Sequence, residues 1–244
     1  MKKINIIIPT YNEDKNILSL VKKIKRYVPR AFICIVDDSN NDNIKKILNK
    51  NNFHKVLYFH RKNKRGRGSA VIFGFKKLFK DDHNQIFIEM DADFSHRPSE
   101  LRRNIKHFII NQSDLLIASR YIKKSKILNW SFSRKILSKL SNILTKSILN
   151  VGVSDYTNGF RIYSSRAIKL VIKKCGNIGD GFIVLSEILL VIRINKLKIN
   201  EIHTIFINRV RGESSVNFKL ILKSLLGLLK LFIIKEKYKL PKRT

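Results

Sequence analysis

Cysteine is scarce in this 244-residue chain, which carries only Cys34 and Cys175. Two thiols build no disulfide framework, and neither has the Cys or His neighbours of a zinc site. Stapled secreted scaffolds are thereby excluded, and a reducing compartment is the expected setting. Cys34 falls inside the apolar run Phe32-Ile33-Cys34-Ile35-Val36 and reads as a small buried hydrophobe. Long uncharged runs are missing too: none reaches the roughly 18 apolar residues of a spanning helix. The short stretch between Met1-Lys2-Lys3 and Pro9 lacks the length of a secretory core, so no signal peptide is expected. There is no fixed-period repeat, no low-complexity tract and no P-loop. A dinucleotide fingerprint also fails, because Val71 stands where a third glycine would follow Gly66 and Gly68, and those glycines do not follow the first strand.

Acidic residues are few: 18 Asp plus Glu face 50 Lys plus Arg, for a formal net charge of +32. Such a field attracts polyanions, meaning nucleic acid, an anionic membrane surface or phosphorylated substrates. The basic residues are scattered along the chain rather than striped among aromatics, so nucleic acid is not an expected partner. A lysine-rich solvated surface accounts for much of the excess.

What is present is an alternation of apolar runs and amphipathic stretches. Strands are expected at 4–8, 32–36, 55–59, 85–90 and 114–118, with helices at 15–26, 44–48, 69–79 and 98–109. That order predicts an α/β fold with a mostly parallel sheet and helices on both faces, its strands buried on both sides. Further on, an amphipathic helix is expected over 131–149, a loop and short strand over 155–163, helices near 166–174 and 184–193, and a strand over 202–207. The tail from Phe218 to Ile234 is apolar but interrupted by Lys219, Lys223 and Lys230. It reads either as an interfacial amphipathic helix or as a helix docked on the domain. The expected division is therefore a domain over 1–215 and a basic C-terminal helix over 216–244.

In parallel α/β sheets, ligands bind beyond the carboxyl ends of the strands. Here those ends are polar: Pro9-Thr10-Tyr11-Asn12-Glu13, Asp37-Asp38, Asp91-Ala92-Asp93 and Ser119-Arg120. One such end is an ordinary cap; four on one rim point to a site. Asp91 and Asp93, two residues apart, point the same way if extended and suit a Mg²⁺ or Mn²⁺ shared with a diphosphate. Asp37 or Asp38 suits hydrogen bonds from a base or ribose.

The ordered set Pro9-Thr10-Tyr11-Asn12-Glu13, Val36-Asp37-Asp38, Lys64-Arg65-Gly66-Arg67-Gly68-Ser69-Ala70, Met90-Asp91-Ala92-Asp93-Phe94-Ser95-His96, Ser119-Arg120-Tyr121 and Asn158-Gly159-Phe160-Arg161 resembles the inverting family 2 glycosyltransferases of GT-A fold. Within them it is most similar to the dolichol-phosphate or polyprenyl-phosphate mannosyltransferases, over about residues 4–215. The resemblance implies Asp91, Asp93 and Arg120 as catalytic residues. It implies donor binding by Pro9, Tyr11, Glu13, Asp37, Asp38, Lys64, Gly68, Ala92 and Arg209. The metal would be held by Asp91 and Asp93, with Ser95 where some relatives supply a further ligand. Arg120 and Arg134 would meet the acceptor phosphate, and Arg209 would lie on a closing loop. Two segments depart from the family: Ser39-Asn40 replaces the usual Gly-Ser after Asp38, and Ser215 replaces a lysine after Gly-x-Ser.

The function so implied is transfer of a hexose, mannose from GDP-mannose, to a polyprenyl phosphate on the cytoplasmic face of a membrane. The protein would be peripheral there, with a small membrane anchor subunit as a possible partner. The same family also contains enzymes using another nucleotide sugar such as UDP-glucose, or a saccharide acceptor; a saccharide acceptor calls for a carboxylate base near its hydroxyl, and Glu187 is the residue considered for it. His96 adjoins the metal pair within reach of a phosphate. Trp130 and Phe132 are read as core positions or as residues resting at a lipid interface.

Overall fold

The computed structural model describes residues 2–62, 66–82, 84–208 and 218–238, with the side chains of 218–225, 236 and 237 set aside. Its centre is a seven-stranded sheet in the order β3-β2-β1-β4-β7-β5-β8. The strands are β1 (Lys3–Thr10), β2 (Phe32–Asp37), β3 (Val56–His60), β4 (Gln85–Glu89), β5 (Leu115–Ser119), β7 (Arg161–Ser164) and β8 (Ile199–His203). All run parallel except β7, which is antiparallel to both β4 and β5. The carboxyl ends of β1, β2, β4 and β5 therefore share one edge, as the sequence pattern predicts.

The strands are apolar on both faces because both are covered. Ile6 and Ile8 of β1, with Ile33 and Ile35 of β2, join a core cluster with α1 (Asp14–Tyr27), α2 (Asn43–Asn51) and α4 (Leu101–Ile110). Ile7, Cys34 and Val36 point the other way, toward α3 (Arg67–Leu78), α6 (Ser165–Lys174) and α7 (Ile183–Ile194). This period-two division is what a two-sided sheet requires. Cys34 is fully buried, and burial pushes its thiol up to about 12. In α1 the buried apolar positions are Ile17, Leu20, Val21 and Ile24, so Leu20 rather than Leu18 completes the stripe.

Three departures from the sequence pattern have local causes. Pro9 does not end β1, because the β4 ladder stops at Ile7 while pairing with β2 continues to Thr10. A proline is tolerated where one neighbour has already ended. The expected strand 202–207 is split at Thr204. Its hydroxyl donates to Glu100 Oε2 at 2.6 Å, and the Ile205 N–H donates to Glu100 Oε1 at 3.0 Å. The chain then forms β9 (Ile205–Ile207), paired with β6 (Lys126–Leu128) in a separate two-stranded sheet. The helix expected at 98–109 opens as a 3₁₀ turn, Pro98–Glu100.

Two further helices, α5 (Phe132–Leu149) and α8 (Phe218–Ile234), lie against one another, and α8 also packs on α7. Leu228 and Leu231 of α8 are buried in the main core, while Leu226, Leu229, Phe232 and Ile233 are exposed. The tail is thus both docked and apolar on its outer side. The expected boundary at 215 lies outside the described residues. Among the described residues no helix is long and apolar enough to cross a membrane.

Candidate functional site

At the end formed by β1 and β2, Asp37 organises the rim. Its Oδ1 accepts from the Thr10 hydroxyl at 3.0 Å, the Ser39 N–H at 3.1 Å and the Ser39 hydroxyl at 2.6 Å, and its Oδ2 accepts from Tyr58 at 2.9 Å. Four donors on one buried carboxylate commit it to joining strand ends. Asp38 is gripped by Arg61, Nε to Oδ1 and Nη2 to Oδ2, both at 2.5 Å. Arg61 also donates to the Ser69 hydroxyl and to the Gly66 carbonyl, tying this edge to the start of α3. Tyr11 is exposed above, Pro9 is half-buried, and Glu13 accepts from Asn16 at 2.7 Å.

The acidic pair follows β4 but is not extended. Residues 92–96 are a series of bends with Phe94 at φ 65°, a left-handed conformation that is uncommon outside glycine. The turn is closed by the Ser95 N–H donating to Asp93 Oδ1 at 3.0 Å. Asp91 keeps 28% of its side chain exposed, and Arg67 holds it: Nε lies 2.8 Å from Asp91 Oδ1 and Nη1 3.1 Å from Glu89 Oε2. Glu89 is itself fully buried and accepts from Tyr163. Burial pulls the Arg67 pKa down, but the charges of Asp91 and Glu89 more than offset this and leave it above its ordinary value. Two glycines make room: a Cβ on Gly159 would meet the Arg67 guanidinium at 1.9 Å, and one on Gly68 the Gly181 carbonyl at 2.5 Å.

Among the described residues no group of three His, Cys, Asp or Glu side chains gathers to hold a metal ion. Asp91 and Asp93 nevertheless fit the mode in which Mg²⁺ or Mn²⁺ is held by one or two carboxylates and completed by phosphates and water. Ser95 and Ala92 are buried within the same turn.

Beyond β5 lie the arginines. Arg120 is buried against Asp155, donating from Nε to Oδ2 and from Nη2 to Oδ1, each at 2.8 Å, and from its backbone N–H to Oδ2 at 2.9 Å. Its Nη2 also donates to Thr157 Oγ1 at 2.6 Å. Burial pushes the Asp155 carboxyl up, yet the Arg120 charge and hydrogen bonds hold it below its ordinary value. Arg134, in the first turn of α5, lies 4.4 Å from the Trp130 ring and donates to Asn208 Oδ1 at 2.8 Å. The Arg120 guanidinium sits 5.8 Å from that same ring, so the structure brings the two arginines together across Trp130. Trp130 is buried and Phe132 is 79% exposed, which separates two residues the sequence left together.

Several expectations change. His96 offers nothing to a phosphate: it is buried, its Nδ1 accepts from the Asp91 N–H at 2.9 Å, and its Nε2 pairs with Asn158 Oδ1 at 2.9 Å. Glu187 is neither solvent-facing nor a base presented to an acceptor. It is fully buried, accepting from the Gly176 N–H at 2.8 Å and from the Tyr238 hydroxyl at 2.7 Å. Lys64 and Arg209 lie outside the described residues. Arg67, Glu89, Asp155 and Asn158 belong to the site yet carry no functional signal in sequence beyond the Gly66-Arg67-Gly68 and Asn158-Gly159-Phe160-Arg161 segments around two of them.

A solved structure shares this architecture. The chain superposes on glucosyl-3-phosphoglycerate synthase from Mycobacterium tuberculosis, solved with Mn²⁺, UDP-glucose and phosphoglyceric acid. The TM-score is 0.68 at 14% identity, covering 95% of this chain and 80% of that one. The architecture is the Rossmann-like GT-A fold. The family profile of glycosyl transferase family 2 matches residues 5–171, and the chain belongs to that family. Relatives include undecaprenyl-phosphate mannosyltransferase of Micrococcus luteus, 30% identical over 86% of each chain. Dolichol-phosphate mannosyltransferase of Pyrococcus furiosus is 34% identical over 91% of this chain and 62% of its own length. Polyprenol monophosphomannose synthase of Mycolicibacterium smegmatis is 33% identical over 68% of this chain. The chain spans 63% of the length of that last relative.

Proposed function

We propose that this chain is an inverting hexosyltransferase that moves mannose from GDP-mannose to a polyprenyl phosphate at the cytoplasmic face of a membrane. One observation carries the reading: the acidic turn Asp91–Asp93 follows β4 and Arg120 follows β5 at the same edge of one sheet, and Arg134 of α5 meets the Trp130 ring that Arg120 also meets. Carboxylates suit the metal of a nucleotide diphosphate, and arginines suit a phosphate monoester. The names of the relatives from Micrococcus, Pyrococcus and Mycolicibacterium support mannose as the sugar and a polyprenyl-type phosphate as the acceptor.

The chemistry follows from charge. A lipid phosphate is already an anionic nucleophile, so a general base is not demanded, in keeping with the buried Glu187. The harder task is to bring two anions together and stabilise the departing nucleoside diphosphate. When bound, the Mg²⁺ or Mn²⁺ supplies Lewis-acid stabilisation of that diphosphate. Asp91 and Asp93 would hold the metal, and Arg67 fixes Asp91 from below. Tyr11, Pro9, Glu13 and Asp38 border the base, while Arg134 orients the acceptor phosphate and Arg120 contributes positive potential from beneath the surface. Lys64 and Arg209 complete the donor contacts in this reading. In-line attack then inverts the anomeric carbon.

The outer apolar residues of α5 and α8 favour a lipid acceptor over a saccharide. Phe132, Ile136, Leu140 and Ile143 of α5 are exposed, as are Leu229 and Ile233 of α8, the helix that packs against it, and Arg134 lies in the first turn of α5. An acceptor chain left in the bilayer would present its phosphate there. The test is incubation of purified protein with Mg²⁺ or Mn²⁺, labelled GDP-mannose and a polyprenyl phosphate. Label passing into the organic phase is expected. Absence of any lipid-linked sugar across GDP and UDP donors would overturn the proposal.

A further inference from the structure

We propose that His96 and Asn158 are positioning residues that lock the Asp91 end of the site to Arg120. Three distant segments of sequence are joined by one buried chain of hydrogen bonds. The Asp91 N–H donates to His96 Nδ1 at 2.9 Å. An acceptor at Nδ1 leaves the ring proton on Nε2, which then donates to Asn158 Oδ1 at 2.9 Å. The Asn158 amide donates to the Ala118 carbonyl, two residues before Arg120, and the Asn158 backbone N–H donates to Asp155 Oδ1 at 3.0 Å. Asp155 in turn holds Arg120 by its backbone and its guanidinium.

Packing alone does not call for this arrangement. His96 and Asn158 are each at most 2% exposed, and an apolar pair of similar volume would fill the space without the cost of burying polar groups. Instead each ring nitrogen and each amide atom meets a partner. The imidazole is also clamped, stacked on Phe160 at 5.2 Å and met edge-on by Phe206 at 5.6 Å. Phe206 lies 5.4 Å from the Arg120 guanidinium as well. A shift of the acidic turn is thereby passed to the arginine side. Its catalytic meaning rests on the transferase reading above: two anions must be held in register, where a misplacement of about 1 Å costs about 10²-fold in rate.

Two substitutions divide the chain. His96→Asn keeps an acceptor for the Asp91 N–H and loses the bond to Asn158; Asn158→Leu removes the far half. For both, kcat per folded molecule is expected to fall about 10- to 100-fold, with KM for donor and acceptor changed by less than about threefold. The double variant should be no worse than the poorer single one, since the residues act as a unit. Independently of turnover, the Arg120 Nε–H resonance should shift or exchange faster with water in His96→Asn. Unchanged kcat in a folded His96→Asn protein, or an Arg120 signal identical to wild type, would overturn the proposal. If the wild-type protein transfers no sugar, the transferase reading fails and the Arg120 resonance alone decides the positioning role.

Discussion

Arg67 stands between two carboxylates, 2.8 Å from Asp91 and 3.1 Å from Glu89. Glu89 is the last residue of its strand and fully buried, and among the described residues Arg67 is the cation paired with it. Removing that charge leaves Glu89 uncompensated in the core. Arg67→Met is expected to destabilise the protein by about 3–5 kcal/mol, seen as a lower denaturation midpoint. A midpoint within error of wild type would show that Glu89 is served by other groups.

Asp91→Asn and Asp93→Asn should each abolish transfer while leaving the fold intact. Asp91 is partly exposed, and Asp93, though buried, would keep as Asn the Oδ1 that accepts from the Ser95 N–H, so both changes remove charge and leave the turn its bond. The expected fall is at least about 10²-fold in kcat, the scale of removing one electrostatic contact in a transition state. Circular dichroism should be unchanged, and chelation followed by Mg²⁺ or Mn²⁺ should remove and restore wild-type activity. Full activity in both variants, or activity indifferent to chelator, would sink the metal role.

Asp155 links acidity to stability. Its pKa is held below the ordinary carboxylate value in the folded chain, so in acid the unfolded state binds the proton first. Stability from the Arg120 pair is therefore complete above about pH 4, near the unfolded pKa, and is lost as pH falls through the lower folded value. Asp155→Asn should cost about 3 kcal/mol at neutral pH and flatten the acid limb of a stability-versus-pH curve. An acid limb as steep as that of wild type would contradict the assignment.

The outer surface of α5 and α8 should bind lipid. Phe132 and Leu140 are largely exposed, so Phe132→Ser and Leu140→Ser should leave the fold intact yet each weaken vesicle binding roughly tenfold, by analogy with the free energy of one apolar side chain. Anionic vesicles should bind more tightly than neutral ones, and salt should reduce the difference. Equal co-sedimentation of wild type and the double variant would remove this surface from the mechanism.

Much of this protein was legible in the linear order of its residues. Unbroken apolar runs such as Phe32–Val36 mean strands covered on both faces, and their alternation with amphipathic stretches means a parallel sheet, because both periods are local properties of the backbone. The polar strand ends named the rim, and the Asp91-Ala92-Asp93 turn stood out in its place after β4. What stayed hidden depends on contacts across the chain. The split at Thr204 is imposed by Glu100, more than a hundred residues earlier, and the antiparallel β7 is set by which strands it joins. Glu187 looked available on its helix until Tyr238 was seen to cover it. Residue spacing says only that Asp91 and Asp93 would point the same way if extended; the bend they adopt, the hold by Arg67 and the tie through His96 to Arg120 are tertiary facts. Sequence determined which residues have the chemistry. Only folding decided which face a ligand and which are spent on one another, because hydrogen bonds between buried groups are made by position in space and leave no period along the chain.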